Sequence, residues 1–291
     1  MSERPFISIL MNCHNGEDFL KESIESAIEQ SYQNWELIFF DNASNDFSKK
    51  IFDTFSDKRL KYLYQPIKTS LVEARNHAIT KASGDWIAIL DTDDSWHRNK
   101  LDEQINALKA QKDQSKVGLI YTSAEIKFGS HKTKLSKSYQ TEKILDSLLS
   151  TKLSIPWSSA LFNKKLFYQV DGFDERFPSF HDFALELSLA LISQIIFINK
   201  PLTLMRVHKD SLSARQKLKG GNYFAEISSI LKEYFPRQSA IDGYYILTVK
   251  SLISSLFQLD LIAFFKKLTK LGLTDAFMCF KALFKLLSNK S

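Results

Sequence analysis

Between residues 6 and 90 the chain alternates short, almost wholly apolar runs with longer helical patterns. In order these are FISILM, LKESIESAIEQ, WELIFF, a polar stretch with helical character, LKYLYQ, LVEARNHAITKA and WIAIL. A strand that is apolar at nearly every position is buried on both faces, so this alternation predicts a parallel sheet with helices on each side, a Rossmann-like α/β arrangement. Open sheets of this kind bind ligands beyond the carboxyl ends of their strands. The residues that matter are therefore those just after each run: Asn12, Cys13, His14 and Asn15; Asp41, Asn42, Ala43 and Ser44; Asp91, Thr92, Asp93 and Asp94.

Further on, LDEQINALKAQ reads as a helix, VGLIYTSAEIKF as a strand and residues 141–151 as another helix, so the sheet is expected to be mixed. The most apolar long stretch, Phe183 to Ile198, falls short of the roughly 20 residues of a spanning helix and contains Glu186. It reads as a core helix running into a strand. From Asn222 the composition turns to helices rich in Phe, Leu and Lys, and Gly220-Gly221 marks the boundary, giving an α/β domain over 1–219 and a helical C-terminal extension over 220–291.

A formal charge of +6 points to an anionic partner without choosing among nucleotide, nucleic acid and acidic membrane. Nucleic acid is disfavoured: the lysines are scattered or lie beside Phe and Leu on helices, and no nucleic-acid module is present. Cys13 and Cys279 lie far apart with no CxxC pair, which fits a reducing cytosol, and the N-terminus with Glu3 has no apolar signal core. The expected location is cytoplasmic, at the inner face of the cytoplasmic membrane if the C-terminal helices bind lipid.

The four residues DTDD at 91–94 close an apolar run with three carboxylates. Their mutual repulsion asks for a cation. On an extended segment Asp91 and Asp93 share a face while Asp94 points elsewhere. Carboxylate oxygens at a strand end suit Mg²⁺ or Mn²⁺, which keeps positions open for phosphate oxygens. The competing reading is an N-cap cluster ahead of the helix near Asn99. No GxGxxG follows the first strand and no GxxxxGK[ST] occurs, so a Gly-rich phosphate cradle is not indicated.

Four stretches, spread from about Ile7 to Ser213, carry a family resemblance. They are SILMNCHNGEDFLKESIESAIEQSYQNWELIFFDNAS, LVEARNHAITKASGDWIAILDTDDSW, DGFDERF from Asp171 and RVHKDSLS from Arg206. In this order they resemble the family 2 glycosyltransferases, whose GT-A fold is a Rossmann-like domain with a DxD motif. The resemblance implies an inverting, metal-dependent transfer of a sugar from a nucleotide-sugar donor to a glycan or lipid-linked acceptor, in surface polysaccharide or glycolipid synthesis. It implies Asn15 and Asp41 at the nucleotide, with Asp41 receiving a uracil base, and Asp91 at the ribose or diphosphate. Asp93 would ligate Mn²⁺ or Mg²⁺, and His208 would complete the metal or diphosphate site. Asp182 stands where the family has its catalytic base.

The residues alone leave alternatives beside these roles. Arg75 either approaches the diphosphate or pairs with Glu73; His208 is a ligand or a structural histidine; Asp182 is a base or simply opens its helix. Cys13 reads as a buried inert thiol. The chain departs from the family where Asn12-Cys13 replaces Pro-Thr, where His181 replaces a glutamate before the base, and near Ser188, where an arginine is missing. Those departures motivate a second reading, a nucleotide-sugar-binding protein without catalysis. In the tail, LIAFFKKLTK and DAFMCFKALFKLL within 261–287 carry Phe/Leu stripes flanked by lysines, which suits a membrane interface or packing against protein.

Overall fold

The computed structural model describes residues 4–129, 132–135, 144–208, 211 and 221–234, together with Ile241, Tyr244, Tyr245, Asp275, Met278 and Cys279. The first part of the chain runs β1 (Ile7–Cys13), α1 (Glu17–Ile28), β2 (Trp35–Asn42), α2 (Ser48–Phe52), β3 (Leu60–Gln65), α3 (Leu71–Thr80) and β4 (Trp86–Ile89). It continues with β5 (Ser95–Trp96), α4 (Lys100–Lys109), β6 (Val117–Phe128), β7 (Lys132–Leu135), α5 (Ile144–Leu149), β8 (Leu161–Asn163), α6 (Lys164–Gln169), α7 (His181–Ile192) and β9 (Gln194–Val207). Last comes α8 (Gly221–Glu233).

Among the described residues, nine strands form one sheet in the order β3–β2–β1–β4–β8–β6–β9–β5, with β7 beside β6. Strands β3, β2, β1 and β4 are mutually parallel, as the apolar runs predict. The sheet turns mixed at β8, which is antiparallel to both β4 and β6. All eight residues of β2 are buried, which is why Leu37 to Phe40 are wholly apolar and why its polar members, Glu36 and Asp41, are hydrogen-bonded. One face carries Ile9, Met11, Leu37 and Phe39 against Leu20 and Ile24 of α1 and Leu101, Ile105 and Leu108 of α4. The stretch read as a core helix running into a strand is α7 followed by β9.

β4 sits beside β1 because Gly84 lets the two backbones touch: a Cβ there would lie 2.6 Å from the Ser8 nitrogen. Ser8 Oγ accepts from the Gly84 N–H (2.8 Å) and donates to Glu36 (2.6 Å), tying β1, β2 and the start of β4 together. This fixes where β4 begins against β1, upstream of DTDD.

Lys100, at the start of α4, is fully buried, with Nζ donating to Gln104 at 2.9 Å and lying 4.0 Å from the Trp96 ring centre. Burial pushes its pKa well below that of an exposed lysine. The unfolded chain therefore binds the extra proton between the two pKa values, so stability rises with pH across that window up to about 10.5. Lys100→Met is expected to flatten this rise in urea unfolding followed at pH 7 to 9, without lowering the midpoint.

The chain divides into two compact units, residues 1–144 with 154–208, and 145–153 with 209–291. In the second, α8 buries Ile227, Ile230 and Leu231, and the Tyr245 hydroxyl donates to Asp275 at 2.6 Å. Within 261–287 only Asp275, Met278 and Cys279 are described, so the two amphipathic faces expected there lie outside the described residues. No described helix is long and apolar enough to cross a membrane.

Candidate active site

Beyond β1 and β2 the loops are locked to each other. Asn15 and Ala43 both take left-handed backbones, at φ 57° and 59°. Asparagine tolerates that conformation and alanine does not, so Ala43 is held by its surroundings. Asn15 donates its N–H to Ser44 Oγ (3.0 Å) and accepts from the Asn45 N–H (2.9 Å). Asp41 is 1% exposed, accepting from the Ser44 N–H at 2.8 Å and from the Tyr62 hydroxyl at 2.7 Å. Burial, then the hydrogen bond to Asp41 and its charge, pushes the Tyr62 phenol up, so it stays a donor. Cys13 is buried with its pKa pushed up to about 11, chiefly by burial. An inert thiol is what the structure places there.

Residues 91–94 are not extended, as the shared-face argument assumes, but form a turn closed by Asp94 N–H on the Asp91 carbonyl at 3.1 Å. Each carboxylate goes a different way. Asp91 accepts from Arg75 Nη2 through Oδ1 at 2.7 Å. Asp93 Oδ2 lies 3.0 Å from His208 Nε2. Asp94, 3% exposed, accepts from Ser158 Oγ (2.5 Å) and from the Arg206 N–H (3.0 Å). Asp94 is thus the anchor of the turn and not an outward ligand. The capping alternative is not realised, since α4 starts at Lys100 with Asn99 as its N-cap and no side-chain cap bond.

The turn is clamped from several elements. Ser158 Oγ also accepts from the Asp91 N–H at 3.2 Å, the Ser23 hydroxyl shares its one proton between the carbonyls of Asp94 (2.6 Å) and Thr92 (2.8 Å), and Arg206 Nη1 donates to the Asp93 carbonyl at 2.8 Å. Arg206 Nη2 also pairs with Glu22. Despite these cations the carboxylates still repel: burial and then Asp91 raise the Asp93 pKa, and burial, Asp93 and Asp91 raise that of Asp94. Asp91 Oδ2 and Asp93 Oδ1 carry no hydrogen bond to a described residue. Among the described residues no group of three or more His, Cys, Asp or Glu closes a metal shell. Two free carboxylate oxygens fit a hard divalent ion that takes most of its remaining ligands from water and phosphate.

The other side of the site comes from α7. Arg75, 3% exposed, spans the gap, donating to Asp91 and, through Nη1, to His181 Nε2 at 2.7 Å. The pairing with Glu73 is not what is observed. Burial, then the Arg75 charge, pushes the His181 pKa down to about 3, so the ring is neutral, with Nδ1–H donating to the Pro178 carbonyl at 3.3 Å. Asp182 lies half-buried in the first turn of α7, Oδ1 accepting from the Phe183 N–H at 2.8 Å, while Phe180 is the N-cap. Burial raises the Asp182 pKa, Arg75 holds it down and Asp91 raises it, so Asp182 shares the electrostatic environment of the acidic turn. Next to Arg75, Asn76 brackets Phe173, donating to its carbonyl at 3.0 Å and accepting its N–H at 3.2 Å, which docks the DGF turn on α3.

A neutral His181 has a stability consequence. Between about pH 3 and the unfolded value near 6.5 the unfolded chain binds the extra proton, so this group's contribution is complete above pH 6.5 and is lost as pH falls toward 3. His181→Gln keeps a neutral acceptor for Arg75. Comparing urea midpoints at pH 4.5 and 7 should show a smaller difference in the variant than in the wild type.

The profile of the family "Glycosyl transferase family 2" matches residues 8–171, from β1 to the turn docked by Asn76. The chain belongs to that family. This glycosyltransferase-family chain is 38% identical over 120 residues to the Escherichia coli UDP-Glc:alpha-D-GlcNAc-diphosphoundecaprenol beta-1,3-glucosyltransferase WfgD, covering 41% of this chain and 46% of that one. It is 31% identical over 209 residues to an uncharacterized glycosyltransferase of Rickettsia typhi, covering 70% and 64%. Matched segments span from about two fifths to just under two thirds of the curated relatives' own lengths. The mannosyltransferase PcManGT from Pyrobaculum calidifontis, solved with GDP-Man and Mn²⁺, superposes with a TM-score of 0.65 at 17% identity, covering 98% of this chain and 81% of that one. That likeness establishes the GT-A fold.

The structure brings Arg75, Asp91, Asp93 and His208 together at one turn, sets Asp182 next to His181, the other partner of Arg75, and puts Asn15 and Asp41 into the β1–β2 loop pair. It adds three residues that sequence reasoning passed over. Arg206 carried a signal, a cation two residues before His208 at a strand end. Ser158 and Ser23 carried none.

Proposed function

We propose that this chain transfers a sugar from a nucleoside-diphosphate sugar, UDP-linked, to a hydroxyl of a glycan or lipid-linked acceptor with inversion, in surface polysaccharide or glycolipid synthesis. The observation that carries the reading is the division of labour around Arg75. On one side of it are the free oxygens of Asp91 and Asp93, and on the other is a single carboxylate, Asp182, that burial keeps basic. The activity for which WfgD is named, with a UDP-linked donor and a diphosphate-lipid acceptor, supports the nucleotide and acceptor classes.

Asp41 and Asn15 shape the base and ribose end, with Asp41 held in register by Tyr62 and Ser44. Asp93, Asp91 and His208 would hold Mn²⁺ or Mg²⁺, which supplies charge stabilisation for a departing diphosphate. Arg75 adds a buried positive charge on the same side and keeps Asp91 fixed. Asp182 accepts the proton of the attacking hydroxyl, and the oxygen forms its bond to the anomeric carbon from the face opposite the leaving nucleotide. The attack therefore inverts that carbon. The membrane role of residues 261–287 belongs to the same proposal.

The direct test is calorimetry of UDP binding with and without Mn²⁺. Binding that needs the ion is expected; UDP that binds equally without it removes the metal from the reading, and no binding at all removes the uridine nucleotide.

A further inference from the structure

One polar side chain in α7 takes no part in the chemistry above. Glu186 is 3% exposed in an otherwise apolar run, with Leu185, Leu187 and Leu189 buried around it. No hydrogen bond or ion pair joins its carboxyl to a described residue. Four positions separate it from Asp182, so the two stack on one face of the helix. Among the described residues, Asp182 is the charge that acts on Glu186.

A carboxyl in so apolar a setting is normally removed or given a partner. A substrate group is a partner that arrives only in the complex. We propose that Glu186 is an acceptor-binding residue, forming with Asp182 a two-carboxyl subsite that takes a sugar through two hydroxyls, the reacting one at Asp182 and a second at Glu186. This rests on the glycosyl-transfer reading above and deepens it by naming a second residue that touches the acceptor. Burial, then the neighbouring Asp182, raises the Glu186 pKa well above the usual carboxyl range. A carboxyl pushed toward its neutral form can donate as well as accept, the pattern a sugar hydroxyl complements.

The test uses the full chain with UDP-glucose and Mn²⁺. The acceptor probes are methyl N-acetyl-α-glucosaminide, the same sugar on an alkyl diphosphate, and cyclohexanol as the monohydric control. UDP release is followed in the wild type, Glu186→Gln and Glu186→Leu, with UDP affinity and thermal unfolding measured beside it. The expected result is a sugar KM about tenfold higher in Glu186→Leu, restored to within threefold in Glu186→Gln, with UDP affinity unmoved. A merely structural glutamate would instead lower the unfolding temperature on replacement and leave KM alone. Glu186→Met carries the same comparison if the leucine variant does not fold. Equal sugar KM in all variants overturns the proposal, as does a wild type whose turnover responds to cyclohexanol as well as to either sugar. Failure of the wild type to bind UDP ends the parent reading and this one together. UDP binding with no effect at Glu186 ends this one alone.

Discussion

Asp182→Asn is expected to lower kcat for sugar transfer about 10² to 10⁴-fold, the range a positioned general base contributes, while leaving UDP affinity in the presence of Mn²⁺ within about twofold. That loss corresponds to roughly 3 to 5 kcal/mol of barrier. The split between kcat and nucleotide affinity is what separates a base from a helix-opening aspartate. Asp182 does bond a first-turn N–H, that of Phe183, and asparagine keeps an oxygen for the same bond. A role confined to the helix end would therefore survive the substitution with activity intact. The wild-type pH profile gives a second handle. Burial lifts the Asp182 pKa above the ordinary aspartate value and Asp91 adds to it, with Arg75 opposing. A base acts when ionised, so kcat/KM should fall as pH drops through that raised pKa. Arg75→Met removes the opposing charge and should move the acidic limb to higher pH. Unchanged transfer in Asp182→Asn would favour the second reading, a protein that binds nucleotide sugars without turning them over.

How far the sequence leads depends on which interactions are local. β1, β2 and β4 are legible because both of their faces are buried, so apolar residues fill them with few breaks, and polar members such as Ser8 and Glu36 bond each other. The rule that ligands gather at the carboxyl ends of parallel strands then points to Asn15, Asp41 and Asp91 without any contact being known. The shape of the acidic turn is not legible in this way. Whether residues 91–94 are extended or turned is decided by Ser158 from 64 residues away and by Arg206 from 112 residues away. Arg75 has the same difficulty. Its nearest acidic neighbour in sequence, Glu73, is not its partner, and the partners it has lie 16 and 106 residues along the chain. The two-residue β5, paired with β9, is too short to leave a periodic signal. Even so it carries the chain from the acidic turn toward α4.

The three carboxylates of DTDD should respond differently to removal, and the largest effect on nucleotide binding is expected at Asp93. Asp93→Ala removes one of the two free carboxylate oxygens on this turn and the partner of His208. UDP affinity in Mn²⁺ should fall about 100-fold, or ~2.7 kcal/mol, and the residual binding should no longer depend on the ion. Asp94→Asn tests the contrast. Asp94 is buried behind the turn, where Ser158 and the Arg206 backbone already satisfy it, so it offers no oxygen to the ion. Burial and its two neighbours raise its pKa well above the ordinary value. An ionised Asp94 would thus be a net burden that an amide relieves, and stability near neutral pH should change little. The discriminating measurement is the pair of titrations, UDP with and without Mn²⁺, on both variants. A large ion-dependent loss at Asp93 with a small one at Asp94 assigns the cation to the outward carboxylates. Equal losses at both would mean that the turn's shape, and not a particular oxygen, governs nucleotide binding.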